Sequence, residues 1–237
     1  MTKRFSRTEI LLGSEALSKL SKARILIVGV GGVGGYAAEL LCRAGIGNIT
    51  IVDGDFIEET NLNRQIIALN SNIGESKVSA FAKRLLDINP DLNIEPIFKF
   101  LEEEDIPSFL ENGRYDFIID AIDSVRPKCS LIREAFIRDI PIISSMGAGS
   151  KIDAGKVHLD KLSHTHHDGL SKAVRRQINN KKISDKLVVV FSDESPIFSQ
   201  ENQDNNNKKT VGTISYLPTV FGCYLSQYVI NQLITKQ

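Results

Sequence analysis

RILIVGVGGVGGYAAELLCR, residues Arg24 to Arg43, is the stretch on which the fold turns. An apolar run from Arg24 to Val28 meets a glycine-rich turn, Gly29-Val30-Gly31-Gly32-Val33-Gly34, and a helix-like segment from Tyr36 to Arg43 follows. Gly29, Gly31, Gly32 and Gly34 let a strand-to-helix turn tighten. They also let backbone N–H groups approach an anion at a helix N-terminus, where the dipole favours negative charge. Alone, the run indicates a nucleotide or dinucleotide fold, and a glycine turn packed for structural reasons would use the same residues.

Outward from this turn, apolar runs recur at Ile49 to Val52, Ile94 to Phe98, Phe117 to Ile119 and Ile140 to Ser144, with helical stretches between them. Between Ser76 and Ile88, the residues Val78, Phe81, Ala82, Leu85 and Leu86 fall on one face of a helix that Asn89-Pro90 ends. The alternation predicts an α/β fold, a Rossmann-like and mainly parallel sheet with flanking helices. Beyond Gly147-Ala148-Gly149-Ser150 the pattern is less regular, with short strands at Val157 to Leu159 and Leu187 to Phe191 and a helix at Leu170 to Ile178. The chain of 237 residues therefore reads as a single domain, with a nucleotide-binding core over 1–150 and a C-terminal elaboration over 151–237. Asp204 to Lys209 reads as an exposed polar loop.

Lys and Arg balance Asp and Glu at 29 each, which excludes a global polyelectrolyte. Between Lys151 and Lys186, however, nine basic residues face four Asp. Cys42, Cys129 and Cys223 lie far apart with no CxxC pair, and no apolar leader follows the basic N-terminus, so a reduced, cytoplasmic chain is expected. Val211 to Thr235 carries no charge, but polar residues interrupt it. A buried or dimer-interface helix fits better than membrane insertion.

Asp53 lies 24 residues after Gly29, at a strand end where a carboxylate can hold ribose hydroxyls of either NAD or ATP. Arg64, within Asn61-Leu62-Asn63-Arg64-Gln65, and Lys77, after Gly74-Glu75-Ser76, tilt the choice to ATP, because phosphoryl or nucleotidyl transfer needs cations on the phosphates and hydride transfer does not. The alternative for both is a solvated surface pair. Asp120 and Asp123 follow the fourth strand and together could hold Mg²⁺, with Asp123 the candidate ligand. The alternative is that Asp123 or Ser124 caps a helix over Pro127 to Arg138.

Taken together, Gly29 to Gly34, Asp53-Gly54-Asp55, Asn61 to Gln65, Gly74 to Lys77 and Asp120 to Asp123 resemble the ubiquitin-activating superfamily, which includes bacterial enzymes that adenylate sulfur-carrier proteins. The resemblance covers about residues 4–150. It implies that the glycine loop, Asp53, Asp55, Asn61 and Asn63 surround ATP, that Arg64 and Lys77 bind its phosphates, and that Asp123 binds magnesium. The N-terminal Arg4-Phe5-Ser6-Arg7 matches a family motif whose second arginine reaches the partner subunit's ATP, which implies a homodimer with Arg7 acting in trans. The chain departs from the sulfur-carrier activators in lacking their two zinc-binding CxxC pairs and an obvious nucleophilic cysteine.

A closer resemblance is to the tRNA threonylcarbamoyladenosine dehydratase branch. It rests on Ile119 to Lys128, Gly147-Ala148-Gly149, Asp168 to Arg175 and Val190 to Glu194. That branch implies ATP-dependent cyclisation of threonylcarbamoyladenosine in tRNA through an acyl-adenylate, with AMP and pyrophosphate released. It gives the basic residues Lys172, Arg175, Arg176, Lys181 and Lys182 a role at tRNA, where the residues alone equally allow a solvated helix face. A sulfur-handling partner associated with a cysteine desulfurase stays open. Adenylation of the C-terminal carboxylate of a ubiquitin-like sulfur-carrier protein is the alternative reaction. An NAD-dependent oxidoreductase or an inactive nucleotide-binding module is the reading from another class. His158, His164, His166 and His167 crowd together without a metal-ligand pattern, and no metal is assigned to them.

Overall fold

A computed structural model describes residues 3–197 and 211–235 of the chain. The elements run α1 (Ser6–Leu12), α2 (Ser14–Lys22), β1 (Arg24–Val28), α3 (Gly34–Ala44), β2 (Asn48–Asp53), α4 (Lys77–Ile88), β3 (Asn93–Phe98), α5 (Ile106–Asn112), β4 (Phe117–Asp120), α6 (Val125–Ile137), β5 (Ile142–Ser145), β6 (Val157–Lys161), α7 (Gly169–Ile178), α8 (Lys181–Ser184), β7 (Val188–Ser192) and α9 (Tyr216–Thr235). Seven strands form one sheet in the order β3-β2-β1-β4-β5-β7-β6. Every pairing is parallel except that of β6 with β7.

The central strands are near-continuous apolar runs because helices cover both faces of the sheet. Side chains alternate between the faces along β1. Ile25 and Ile27 join a core with α2, α3, α4 and α9, while Leu26 and Val28 join one with α5, α6 and α7. Pro96, which cannot donate to a ladder, sits on the edge strand β3. The sequence reverses direction across the sheet between β1 and β4, so the carboxyl ends of β1, β2, β4 and β5 open onto one crevice.

The five expected strands of the core and both strands of the C-terminal half are present, with ends shifted by a residue or two. Ser76 is the N-cap of α4, its Oγ accepting the Ser79 N–H at 3.4 Å, so that helix starts one residue later than the pattern predicts. Pro141 lacks an N–H, and β5 begins just after it. The apolar C-terminal segment is helix α9, whose Leu217, Phe221, Leu225, Val229 and Leu233 are buried at every fourth position. Among the described residues no helix is long and apolar enough to cross a membrane. The predicted loop at Asp204 to Lys209 lies outside the described residues.

Candidate active site

The crevice is a cleft of about 670 Å³, within the range of small-molecule sites. Its floor is the glycine loop. Gly29 has φ +86°, and a Cβ there would lie 2.7 Å from the carbonyl oxygen of Ala121. A Cβ on Gly34 would overlap the Gly29 carbonyl oxygen, so the turn can close only with glycine at both places. No side chain caps α3; the Gly35 N–H is taken by Gly31 O at 3.0 Å, and the helix end next to the cleft is one that favours an anion. Gly31, Gly32 and Val33 line that end.

Asp53 stands at the carboxyl end of β2. Its Oδ2 accepts the Val30 N–H and its Oδ1 the Asp55 N–H, both at 2.8 Å. Burial pushes its carboxyl above the ordinary range, although Lys77 and the two N–H donors oppose this. The loop after β2 then pairs with the segment before α4, with Phe56 bridging Ser76 and Lys77 N–H donating to Asp55 O at 3.0 Å. This brings Lys77 into the cleft, only 5% exposed, with Nζ 2.6 Å from Asp55 Oδ2. Lys77 is thus a buried cation, not half of a solvated surface pair. Asp55 and Lys77 belong to one ion pair whose acid is half exposed and whose base is buried.

Arg64 lines the same cleft, half-buried, with its guanidinium held by Thr60 O at 2.9 Å and Asn63 Oδ1 at 2.8 Å. Asn63 itself lies outside the lining. Its side-chain amide donates to Thr213 O at 3.0 Å, so it orients Arg64 and anchors the 211–215 segment that crosses the cleft. Asn61 lines the cleft, but its Oδ1 caps a short turn by accepting the Glu58 N–H. The buried Gln65 also faces the cleft, and its Oε1 has no hydrogen-bond partner. That oxygen is closed off from solvent, so the cost of about 1–3 kcal/mol for an unpaired buried acceptor is carried inside the fold. Gln65 stands in the motif quoted for Arg64, and the sequence alone assigns it no role.

The two aspartates at the end of β4 and just beyond it separate. Asp120 is fully buried, with Oδ2 2.7 Å from Lys128 Nζ and 2.5 Å from Ser144 Oγ, and with Oδ1 accepting the Ile122 N–H. It cannot share a hydrated cation with Asp123, which corrects the paired-carboxylate expectation. Asp123 is exposed and lines the cleft. The N-cap position of α6 belongs to Ser124 and carries no side-chain cap bond, so neither residue serves the capping alternative.

The far wall is built from residues that sequence reasoning passed over or gave no site role: Gly147, Ala148 and Gly149 after β5, Leu170 in the first turn of α7, and Val211 and Thr213. Lys99 and Phe100 close the side next to Asp53, with Phe100 packed over Gly54. The Gly147 to Gly149 run and Leu170, within the Asp168 to Arg175 motif, stood in stretches that carried the resemblance, whereas Val211 and Thr213 gave no such signal. Arg7 sits exposed on α1 and is not part of the lining.

Of the five basic residues expected at RNA, Lys172, Arg176, Lys181 and Lys182 are exposed on α7 and α8. Arg175 differs. Its guanidinium donates to Leu162 O at 3.1 Å and to Thr165 O at 2.9 Å, and it also contacts Thr165 Oγ1, so it clamps the preceding turn. Among the histidines, His158 pairs with Asp193 at 3.0 Å and His164 with Asp160 at 2.9 Å, while His166 packs edge-on to Phe191. Among the described residues no group of three or more His, Cys, Asp or Glu is arranged to hold a metal ion.

Fold and cleft together define an α/β protein with a glycine-floored, cation-lined cleft at the carboxyl edge of its sheet. The chain belongs to the ThiF family, whose model matches residues 5–237. It is 37% identical over 244 residues to the tRNA threonylcarbamoyladenosine dehydratase of Bacillus subtilis, covering 99% of this chain and 96% of that protein. It is 38% identical over 206 residues to the Escherichia coli protein of the same name, covering 84% and 76%. The crystal structure of the E. coli dehydratase TcdA in complex with ATP superposes with a TM-score of 0.90 at 33% identity, covering 98% of this chain and 94% of that one.

Proposed function

We propose that this chain is an ATP-dependent tRNA threonylcarbamoyladenosine dehydratase. The observation that carries this reading is the likeness, over nearly its whole length, to dehydratases of that name, one of them crystallised with ATP and with AMP. The carboxylate of the threonylcarbamoyl group attacks the α-phosphate of ATP, forming a C–O–P link as the bond to pyrophosphate breaks. The modification's carbamoyl nitrogen then attacks the acyl carbon, the C–O bond to AMP breaks, and the nitrogen's proton is lost. The net change is removal of one water, its oxygen leaving on AMP.

In this reading the glycine loop and the uncapped end of α3 hold phosphate, and Asp53 accepts the ribose hydroxyls through the remaining lone pairs of its oxygens. Lys77 and Arg64 neutralise charge that develops as pyrophosphate leaves. The cleft residues fit a magnesium nucleotide, because Asp123 offers a carboxylate committed to no helix cap; bound there, the cation would screen phosphate charge. Lys172, Arg176, Lys181 and Lys182 take tRNA phosphates.

No enzymic nucleophile is needed, since the attacking nitrogen is tethered to the acyl carbon at high effective concentration. The thiols agree with this: burial pushes both Cys42 and Cys129 up to about 11, far from the thiolate form. We further propose a homodimer in which Arg7 serves the partner's cleft. Mixing inactive Arg7→Ala and Lys77→Ala proteins should then restore part of the activity through hybrid dimers, and a mixture that stays inactive rejects the trans role.

The deciding test incubates the protein with ATP, Mg²⁺ and threonylcarbamoyl-modified tRNA, then measures nucleoside mass and AMP. Loss of one water coupled to AMP is expected. An unchanged nucleoside beside AMP formation that depends on a ubiquitin-like carrier protein would move the carboxylate substrate to that protein.

A further inference from the structure

We infer that Asp168 is a positioning residue that fixes the RNA-facing helix α7 to the wall of the nucleotide cleft. The inference rests on the function proposed above and extends it to a residue outside the cleft lining. Asp168 is the N-cap of α7, and its Oδ1 accepts the Ser171 N–H at 2.6 Å. A cap needs only one oxygen and is usually solvated. Here the other oxygen, Oδ2, turns away from the helix and accepts the Gly147 N–H at 3.1 Å. Gly147 follows β5 directly and lines the cleft.

Two further features are superfluous for a cap. The first is burial with a counter-ion. Asp168 is 7% exposed and Lys151 3%, with Lys151 Nζ 3.6 Å from Asp168 Oδ2 and donating to Ser192 O at 2.7 Å. Burying such a pair is expensive and does not by itself favour stability. The second is the room made for it. A Cβ on Gly147 would stand 2.7 Å from Asp168 Oδ2, so glycine there admits the carboxylate.

Leu170, two residues into the same segment, lines the cleft from the α7 side, and Lys172 and Arg176 on α7 are exposed. One carboxylate therefore sets the distance between the helix that carries RNA-binding charge and the strand end that walls the nucleotide. In a reaction that joins an RNA-borne carboxylate to a nucleotide phosphate, that distance governs alignment, not affinity for either ligand alone.

Asp168→Asn tests this. Asparagine caps a helix as well as aspartate does but has one carbonyl oxygen, so it can keep α7 or the Gly147 tie and not both. The double variant Asp168→Asn/Lys151→Met removes the buried charge left behind and keeps the test readable if the single variant folds poorly. With wild type as reference, kcat on modified tRNA should fall about 10- to 100-fold, with KM for ATP and for tRNA within about threefold. Amide hydrogen exchange should speed up across residues 147–149 and stay unchanged within α7. An unchanged kcat, unchanged exchange at 147–149, or both KM values rising in step with a loss of thermal stability would overturn the inference. Wild-type protein that leaves the modified tRNA untouched would sink the proposed function instead, and the exchange result would still report on the tie.

Discussion

Lys128→Met is the substitution whose consequence the structure fixes most tightly. Lys128 is fully buried, and its ammonium donates to Asp120 Oδ2 at 2.7 Å, Ser144 Oγ at 3.1 Å and Ser145 O at 2.9 Å, which uses all three of its donors. Methionine nearly matches the stem in volume, so little cavity forms. What remains is the Asp120 carboxylate, buried, with only the Ser144 hydroxyl and the Ile122 N–H as donors. Leaving one partner of a buried pair uncompensated costs about 3–5 kcal/mol, a large share of the 5–15 kcal/mol typical of a folded domain. Asp120→Asn/Lys128→Met should recover most of the loss, to within about 1–2 kcal/mol of wild type, because replacing the whole pair removes the orphaned charge. Urea unfolding followed by far-ultraviolet circular dichroism reads both values, with m unchanged if only stability moves. The reasoning fails if Lys128→Met costs less than about 1 kcal/mol at constant m, or if the double variant loses the sum of the two single losses.

Four more expectations follow from single contacts. Lys77→Ala, Arg64→Ala and Asp123→Ala should each lose AMP formation by about 100-fold or more with the fold intact by circular dichroism; wild-type rates in all three would reject the assigned site. Glu39 is pushed up by burial, but hydrogen bonds from Arg84 and Arg43 outweigh this and hold its carboxyl below the ordinary 4.5. A depressed folded pKa stabilises above the unfolded value and is lost as pH falls through the folded one, so Glu39→Gln should cost about 1–2 kcal/mol at pH 7 and progressively less below about pH 4.5. A Glu39→Gln deficit that persists unchanged at pH 3 contradicts the ion pairing. Gly34→Ala should destabilise by about 2 kcal/mol or more, because the new methyl overlaps the Gly29 carbonyl oxygen, and a melting temperature equal to wild type would contradict the turn geometry. Cys223→Ser, which removes the one exposed thiol, should leave AMP formation unchanged, and its loss would reopen covalent chemistry.

The sheet was legible because its strands are unusually plain. β1 and β4 are buried on both faces, so their sequences are unbroken apolar runs, and the glycines between β1 and α3 admit few other structures. The short helices α1, α2, α5 and α8 were not legible. Each has four to nine residues, too few for a helical period to emerge from composition, and their existence depends on what they pack against. The antiparallel pairing of β6 with β7 was equally hidden, since a run of five residues does not reveal the direction of its neighbour.

The site was legible as chemistry but not as pairing. Arg64, Lys77 and Asp123 line one cleft, as the family resemblance implied, yet which charges are free depends on contacts between residues far apart in the chain. Asp120 and Asp123 look alike in sequence, three residues apart. A lysine eight residues on, in the first turn of α6, and a serine on the next strand take Asp120 out of play, and nothing local announces this. Arg175 and Arg176 are adjacent, but a helix turns about 100° per residue, so one reaches back to the carbonyls of Leu162 and Thr165 while the other points to solvent. The same rotation separates the cleft-facing Leu170 from the exposed Lys172 on α7, so one side of the helix borders the cleft and the other meets solvent, where the proposed reaction would bring RNA.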